Sequence, residues 1–172
     1  MRRKLYGTNK LVDDFTKSLI EVDKLDGGWT KIYVDKKTGE KWMEYVIDPE
    51  RGYFWNLMLI EPKPDTEELI KIALKSEFND EVHASCVRLM LDEKEFKTPY
   101  RQKLTEKLEE FDLRKINRAE KKRIKTIIQS AELNSEWNRR EIVGKHINEI
   151  NKDAEFFSDI ANRTKEILKT IA

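Results

Sequence analysis

A catalytic or metal site in this chain would have to draw on two histidines, one cysteine and an abundance of carboxylates. His83 stands three residues before Cys86, a spacing that would put imidazole and thiol on one side of a helix, as half of a metal site. A structural zinc site takes four ligands, so a core histidine beside a small apolar thiol is the expected reading. His146 lies far away on a different expected helix. No local nucleophile–histidine–acid pattern accompanies either residue. Gly27-Gly28 precedes an expected strand rather than a helix, so it is not a phosphate-cradling loop. The carboxylates fall mostly in the first turns of expected helices and on wet faces, where capping and solubility explain them. The expectation is therefore a non-enzyme with no cofactor and no metal. A hydrolase whose site is dispersed in sequence is the one catalytic reading that spacing leaves open.

A second constellation is basic. Arg114, Arg118, Lys121, Lys122 and Lys125 follow one another at spacings of four, three, one and three, which on a helix near 115–132 makes a continuous stripe. Such a face could track phosphates, with salt-dependent affinity. It has no interleaved aromatics for stacking, and the whole-chain net charge is only +1. A solvated face, or a docking surface for an acidic partner, is favoured, and nucleic-acid binding by 114–125 is the alternative function.

The elements that would position any site centre on residues 27–61. Three runs rich in Trp, Tyr, Ile and Val are separated by Asp35-Lys36-Lys37-Thr38-Gly39 and Asp48-Pro49-Glu50-Arg51-Gly52. Asp opens such turns, Pro presets φ, and Gly takes the left-handed position. The pattern predicts a three-stranded antiparallel meander with strands near 29–35, 40–48 and 53–61. Its register sets Tyr33 opposite Trp42, Lys31 opposite Glu44 and Val46 opposite Trp55. Trp29, Tyr33, Trp42, Val46, Trp55, Leu57 and Leu59 then share one face with the Lys31–Glu44 pair. Ile32, Val34, Met43, Tyr45, Ile47, Phe54, Met58 and Ile60 share the other. A sheet with one wet side alternates apolar with polar, so both of these faces need covering. Either the chain's own helices cover both, or the Trp-rich face is partly open and docks another protein.

Around the sheet the chain reads as helical. Apolar residues at helical spacing predict a helix over 9–25, broken by Asp26-Gly27-Gly28. Asp65 and Glu68 form a capping-box pattern opening a helix to about Phe78, and Asn79 caps the next, apolar almost all round over 82–91. Thr98-Pro99 starts a helix to about Phe111. Further helices are expected near 115–132, from Asn134-Ser135 to about Asn151, and over 153–171. The fold class is α+β, with a core domain over 1–111 and a helical extension over 112–172. A lone cysteine argues against oxidising secretion, and no apolar run approaches the ~20 residues that span a bilayer. With no signal-peptide pattern after Met1-Arg2-Arg3-Lys4, the expected location is the cytoplasm.

Gly28-Trp29-x-Lys31-Ile32-Tyr33-Val34-Asp35, followed by Thr38-Gly39-Glu40-x-Trp42-x-Glu44-Tyr45, resembles the hairpin of a group of bacterial immunity proteins from polymorphic toxin systems, immunity protein twenty-seven in the family naming. Glu67-Glu68-Leu69-Ile70-x-Ile72-Ala73-Leu74-x-Ser76, Asp80-Glu81-Val82, Glu93 and Arg101-x-Lys103-Leu104 are similar to what accompanies that hairpin. The likeness covers about residues 27–111. It departs after the second strand, where family hairpins continue into a glycine- and proline-rich stretch, and it has no counterpart for 112–172. The resemblance implies a protein that binds a cognate toxin, often a nuclease, and blocks it without chemistry of its own. The expected docking residues are Trp29, Lys31, Tyr33, Trp42, Glu44 and Trp55.

Overall fold

A computed structural model describes residues 2–47 and 54–172. The chain is α+β and divides into two compact units, Met1–Val87 and Arg88–Ala172. The expected turn at Asp48-Pro49-Glu50-Arg51-Gly52 lies outside the described residues.

Among the described residues of the first unit five antiparallel strands form one sheet: β1 (Leu5–Tyr6), β2 (Ile20–Leu25), β3 (Thr30–Val34), β4 (Lys41–Val46) and β5 (Trp55–Leu59), in the order β1-β5-β4-β3-β2. The expected meander is its middle, in the expected register: Lys31 opposite Glu44, Tyr33 opposite Trp42, Val46 opposite Trp55. The turn after β3 fixes that register. Asp35 donates its amide to the Glu40 carbonyl at 2.9 Å, and its carboxylate accepts from the Lys37 amide at 2.8 Å. Gly39 closes the turn at φ 74°.

Two strands enlarge the three-stranded expectation. Residues 9–25 were expected as one helix, yet α1 is Asn9–Thr16 and β2 follows it. The Thr16 and Ser18 hydroxyls donate to the carbonyls of Asp13 and Phe15, at 3.2 and 2.7 Å, so side chains occupy acceptors at the end of the helix. From Ile20 the chain alternates apolar with charged, Ile-Glu-Val-Asp, and two of the four are β-branched. The same residues satisfy both periodicities, and pairing with β3 decides for the strand.

At the other edge β1 is held by acids from α3 (Asn79–Phe96). Glu81, buried, accepts the amides of Lys4 and Leu5 at 2.6 and 3.1 Å and the Ser76 hydroxyl at 2.6 Å. Asp80 accepts the Gly7 amide at 3.1 Å and pairs with Arg3. A Cβ at Gly7 would sit 2.4 Å from the Asp80 carbonyl oxygen, so this approach requires glycine. The first-turn acids thus complement the helix dipole and also tie down the N-terminal strand. α2 is Thr66–Lys75, shorter than expected, with Asp65 accepting the Glu68 amide at 2.8 Å.

The second unit is helical. Beyond the last turns of α3 come α4 (Arg101–Glu109), α5 (Arg118–Ser130) and α6 (Ile147–Thr170). α4 begins two residues later than Thr98-Pro99 implied, with Tyr100 at its N-cap. Buried Tyr100 and Arg101 close the end of α5: the Tyr100 hydroxyl donates to the Ala131 carbonyl at 2.7 Å and Arg101 Nη1 to the Glu132 carbonyl at 3.0 Å. Glu93 binds Arg101 Nε at 2.7 Å.

The helix expected from Asn134-Ser135 to about Asn151 does not form. Residues 134–146 are irregular, and α6 continues through the expected break near 152. The apolar residues of the segment do not share a stripe: Trp137, Ile142 and Val143 are all exposed. Buried Asp153 holds the segment instead, pairing with Arg140 and Lys145, each at 2.5 Å. His146 then caps α6 in a capping box with Glu149. Among the described residues no helix is long and apolar enough to cross a membrane.

Candidate protein-docking site

The Trp-rich face of the sheet is covered along one part and open along another. α1 lies across the covered part. Val12 meets Tyr33, Trp42, Leu57 and Leu59 in one buried cluster, with Tyr6, Phe15, Leu19 and one side of Trp55 packed against it. The Phe15 ring stacks on Tyr6 at 4.5 Å and meets Trp42 edge-on at 4.9 Å, so three aromatic rings from a strand edge, a helix and a central strand share one pocket. Trp42 is 2% exposed.

Along the open part Trp29 and Trp55 stack on each other, ring centroids 6.4 Å apart and planes at 19°. Trp29 is 43% exposed, and Trp55 is half-buried. The local backbone holds both. Asp26, Gly27 and Gly28, all at positive φ, wrap one tight 3-10 turn, and the Trp29 amide donates back to the Asp26 carbonyl at 3.3 Å. The Thr30 hydroxyl adds a 3.0 Å bond to the Asp26 carboxylate. Trp55 is fixed from α1, where the Asn9 side-chain oxygen accepts its amide at 2.9 Å.

Lys31 joins the two parts. Its ammonium stands 4.9 Å from the centroid of Trp55 and 3.4 Å from Glu44, which is buried. The same Glu44 oxygen accepts the Tyr33 hydroxyl at 2.6 Å. Burial, then the Glu44 hydrogen bond, raises the Tyr33 pKa well above the ordinary phenol value. Lys24 of β2 faces Lys31 across the strand pair, and Lys24 is itself paired with Glu21 at 3.1 Å. A buried carboxylate thus holds one cation over the half-buried ring of an aromatic stack whose other member, Trp29, is exposed.

The six expected docking residues therefore separate. Trp29, Lys31 and Trp55 reach the surface; Tyr33, Trp42 and Glu44 are buried beneath them or under α1. Phe54, next to Trp55, is exposed and adds apolar surface on the opposite face.

The other candidate residues are placed as follows. Cys86 is fully buried, and burial pushes its thiol up to about 12, so it is not a thiolate near neutral pH. Burial also lowers the His83 pKa, against the pull of Asp80. His146 is a helix cap, its Nδ1 accepting the Asn148 amide at 3.3 Å. Among the described residues no group of three His, Cys, Asp or Glu could hold a metal ion. A cleft of about 330 Å³ in the second unit is lined by the cations Lys97, Arg139, Arg140 and Lys145 together with the acids Glu93 and Glu141. Arg139 pairs with Glu132 at 2.5 Å, and Arg140 and Lys145 with Asp153, so these cations anchor the 134–146 segment.

The basic stripe is shorter than expected. Arg114 lies in a turn ahead of α5, because Asn117 caps that helix and forms a capping box with Glu120. Arg118, Lys121, Lys122 and Lys125 remain on the helix, while Ile124, Ile127 and Ile128 fill its buried side.

Sequence pattern offered no signal for the halving of the Trp-rich face, since it depends on where α1 stops. No protein-family model matches the chain, nor does any curated protein or solved structure.

Proposed function

We propose that this protein is a non-catalytic binding protein that occludes a protein partner, docking it on the open part of the Trp-rich face. The observation that carries this reading is the stack of exposed Trp29 on half-buried Trp55, with Lys31 poised over the Trp55 ring. Rigid aromatic area flanked by an oriented cation is the composition of an interface hot spot, and here it is pre-organised by a backbone turn, a helix-borne amide acceptor and a buried carboxylate. The resemblance of the β3–β4 hairpin to polymorphic-toxin immunity proteins supplies the partner class: a cognate bacterial toxin domain, a nuclease among the possibilities, neutralised by steric occlusion in the cytoplasm.

The test is capture of partners from the native host with elution at rising salt. One stoichiometric protein that stays bound at high salt, and is lost when Trp29 and Trp55 are both changed to Ala, supports the reading. Full retention by that double variant would remove the site. Nucleic acid released at moderate salt would favour the second reading, in which Arg118, Lys121, Lys122 and Lys125 on α5 track a phosphate backbone.

A further inference from the structure

β2 ends the sheet, and all six of its residues are exposed. Ile20, Val22 and Leu25 leave 37, 55 and 44% of their surface open, apolar side chains on a strand whose outer edge has no neighbouring strand among the described residues. Edge strands of this kind invite another strand unless something blunts them. Charges normally do so, and β2 carries three, Glu21, Asp23 and Lys24. Their order, however, matches the strand to itself.

Set β2 antiparallel against β2 of a second copy about a two-fold axis between Val22 and Asp23. Ile20 then faces Leu25, and Glu21 faces Lys24, each twice by symmetry. In these outer pairs apolar meets apolar and acid meets base; only at the axis, where the strand is interrupted, does Val22 fall opposite Asp23.

Side chains directly opposite one another must project from the same face of a sheet. In an unbroken strand, residues an odd number of positions apart project from opposite faces, so Ile20 could not face Leu25, nor Glu21 face Lys24. β2 is broken in the required place. Its register against β3 shifts between Glu21 and Asp23, where Val22 is the extra residue of a bulge. As a result Ile20 (opposite Val34) and Leu25 (opposite Thr30) share one face, and Glu21 (opposite Tyr33) and Lys24 (opposite Lys31) share the other. The bulge makes the register geometrically permitted for the Ile20–Leu25 and Glu21–Lys24 pairs.

We propose that β2 is an edge for self-association, through which two copies of this chain join their sheets in an antiparallel β2–β2 contact. The occupant is a second copy because both the charge order and the bulge fit this strand's own sequence. The contact is small, placing it in the weak class of interfaces, and it does not depend on the Trp29–Trp55 site being a docking surface.

Sedimentation of the purified protein from micromolar to near-millimolar concentration tests it. The expected result is a reversible monomer–dimer equilibrium. Glu21→Lys and Lys24→Glu, each alone, place like charges opposite one another twice per dimer and weaken it by roughly tenfold or more. An equimolar mixture of the two variants restores Glu–Lys pairing across the contact, so heterodimer forms with affinity within about threefold of the parent homodimer. The mixture separates the proposal from a folding effect, because neither variant recovers the Glu21–Lys24 pair within its own chain. A monomer at every concentration would overturn the proposal. So would single variants that dimerise like the parent, or a mixture that does not recover.

Discussion

Trp42, on β4, and Trp29, in the turn that leads into β3, lie on the same Trp-rich side of the sheet and have the same chemistry, yet one is core and the other surface. The difference is a helix eight residues long. α1 spans Asn9–Thr16 and puts Val12 and Phe15 over Trp42 and Tyr33. Its N-terminal Asn9 reaches Trp55 through the backbone amide, and there its cover ends. Composition makes a face apolar; the length of the element laid across it decides which of its aromatics remain available. Glu44 and Lys31 mark the border, a buried carboxylate linking the core phenol Tyr33 to a cation at the surface.

That contrast is open to direct attack by substitution. Trp42→Ala empties the centre of the covered part and should cost about 3–5 kcal/mol in denaturant unfolding, enough to unfold a marginal domain. Glu44→Ala strikes the border. It leaves the buried Tyr33 hydroxyl without its acceptor and frees Lys31 from its anchor, costing about 2–3 kcal/mol by the same measurement and loosening the Trp55 stack. Tyr33→Phe should cost about 1 kcal/mol at neutral pH and alter the alkaline limb of stability. The Tyr33 phenol is held protonated in the fold, above its ordinary value of 10.0. Unfolding above that pH releases a proton, so the parent loses stability as pH climbs past 10, and Tyr33→Phe should flatten that decline in a pH series of melts. Trp29→Ala, the smallest of these in stability, should change unfolding by no more than about 0.5 kcal/mol while weakening the captured partner by about 2 kcal/mol or more. A Trp29→Ala variant as unstable as Trp42→Ala would erase the distinction between the two parts.

Much of this arrangement is legible in the sequence, and the failures have physical causes. The β3–β4–β5 register follows from period-two alternation and from the Asp35–Gly39 turn, both local features. Ile20-Glu21-Val22-Asp23 suits a helical stripe and an alternating strand equally well, and a long-range pairing settles it. β1 has two residues, too few for any pattern, and exists because Glu81 and Asp80 receive the chain before it and after it. The missing helix over 134–146 has helix-forming composition without a buried stripe, and its course follows from ion pairs to Asp153 that span up to thirteen residues. For the proposed docking residues, the Trp-rich face and the Lys31–Glu44 pairing are legible in the sequence. It could not tell Trp42 from Trp29, because burial by α1 is a property of packing rather than of spacing.

The most direct test of the divided face is fluorine NMR of the protein labelled with fluorotryptophan, with a soluble paramagnetic agent added. The chain has four tryptophans, so each resonance can be assigned by single Trp→Phe variants. The expected result is strong broadening of Trp29, partial broadening of Trp55, and a Trp42 resonance that stays sharp throughout the titration. Broadening of Trp42 equal to that of Trp29, or a Trp29 resonance as protected as Trp42, would contradict it.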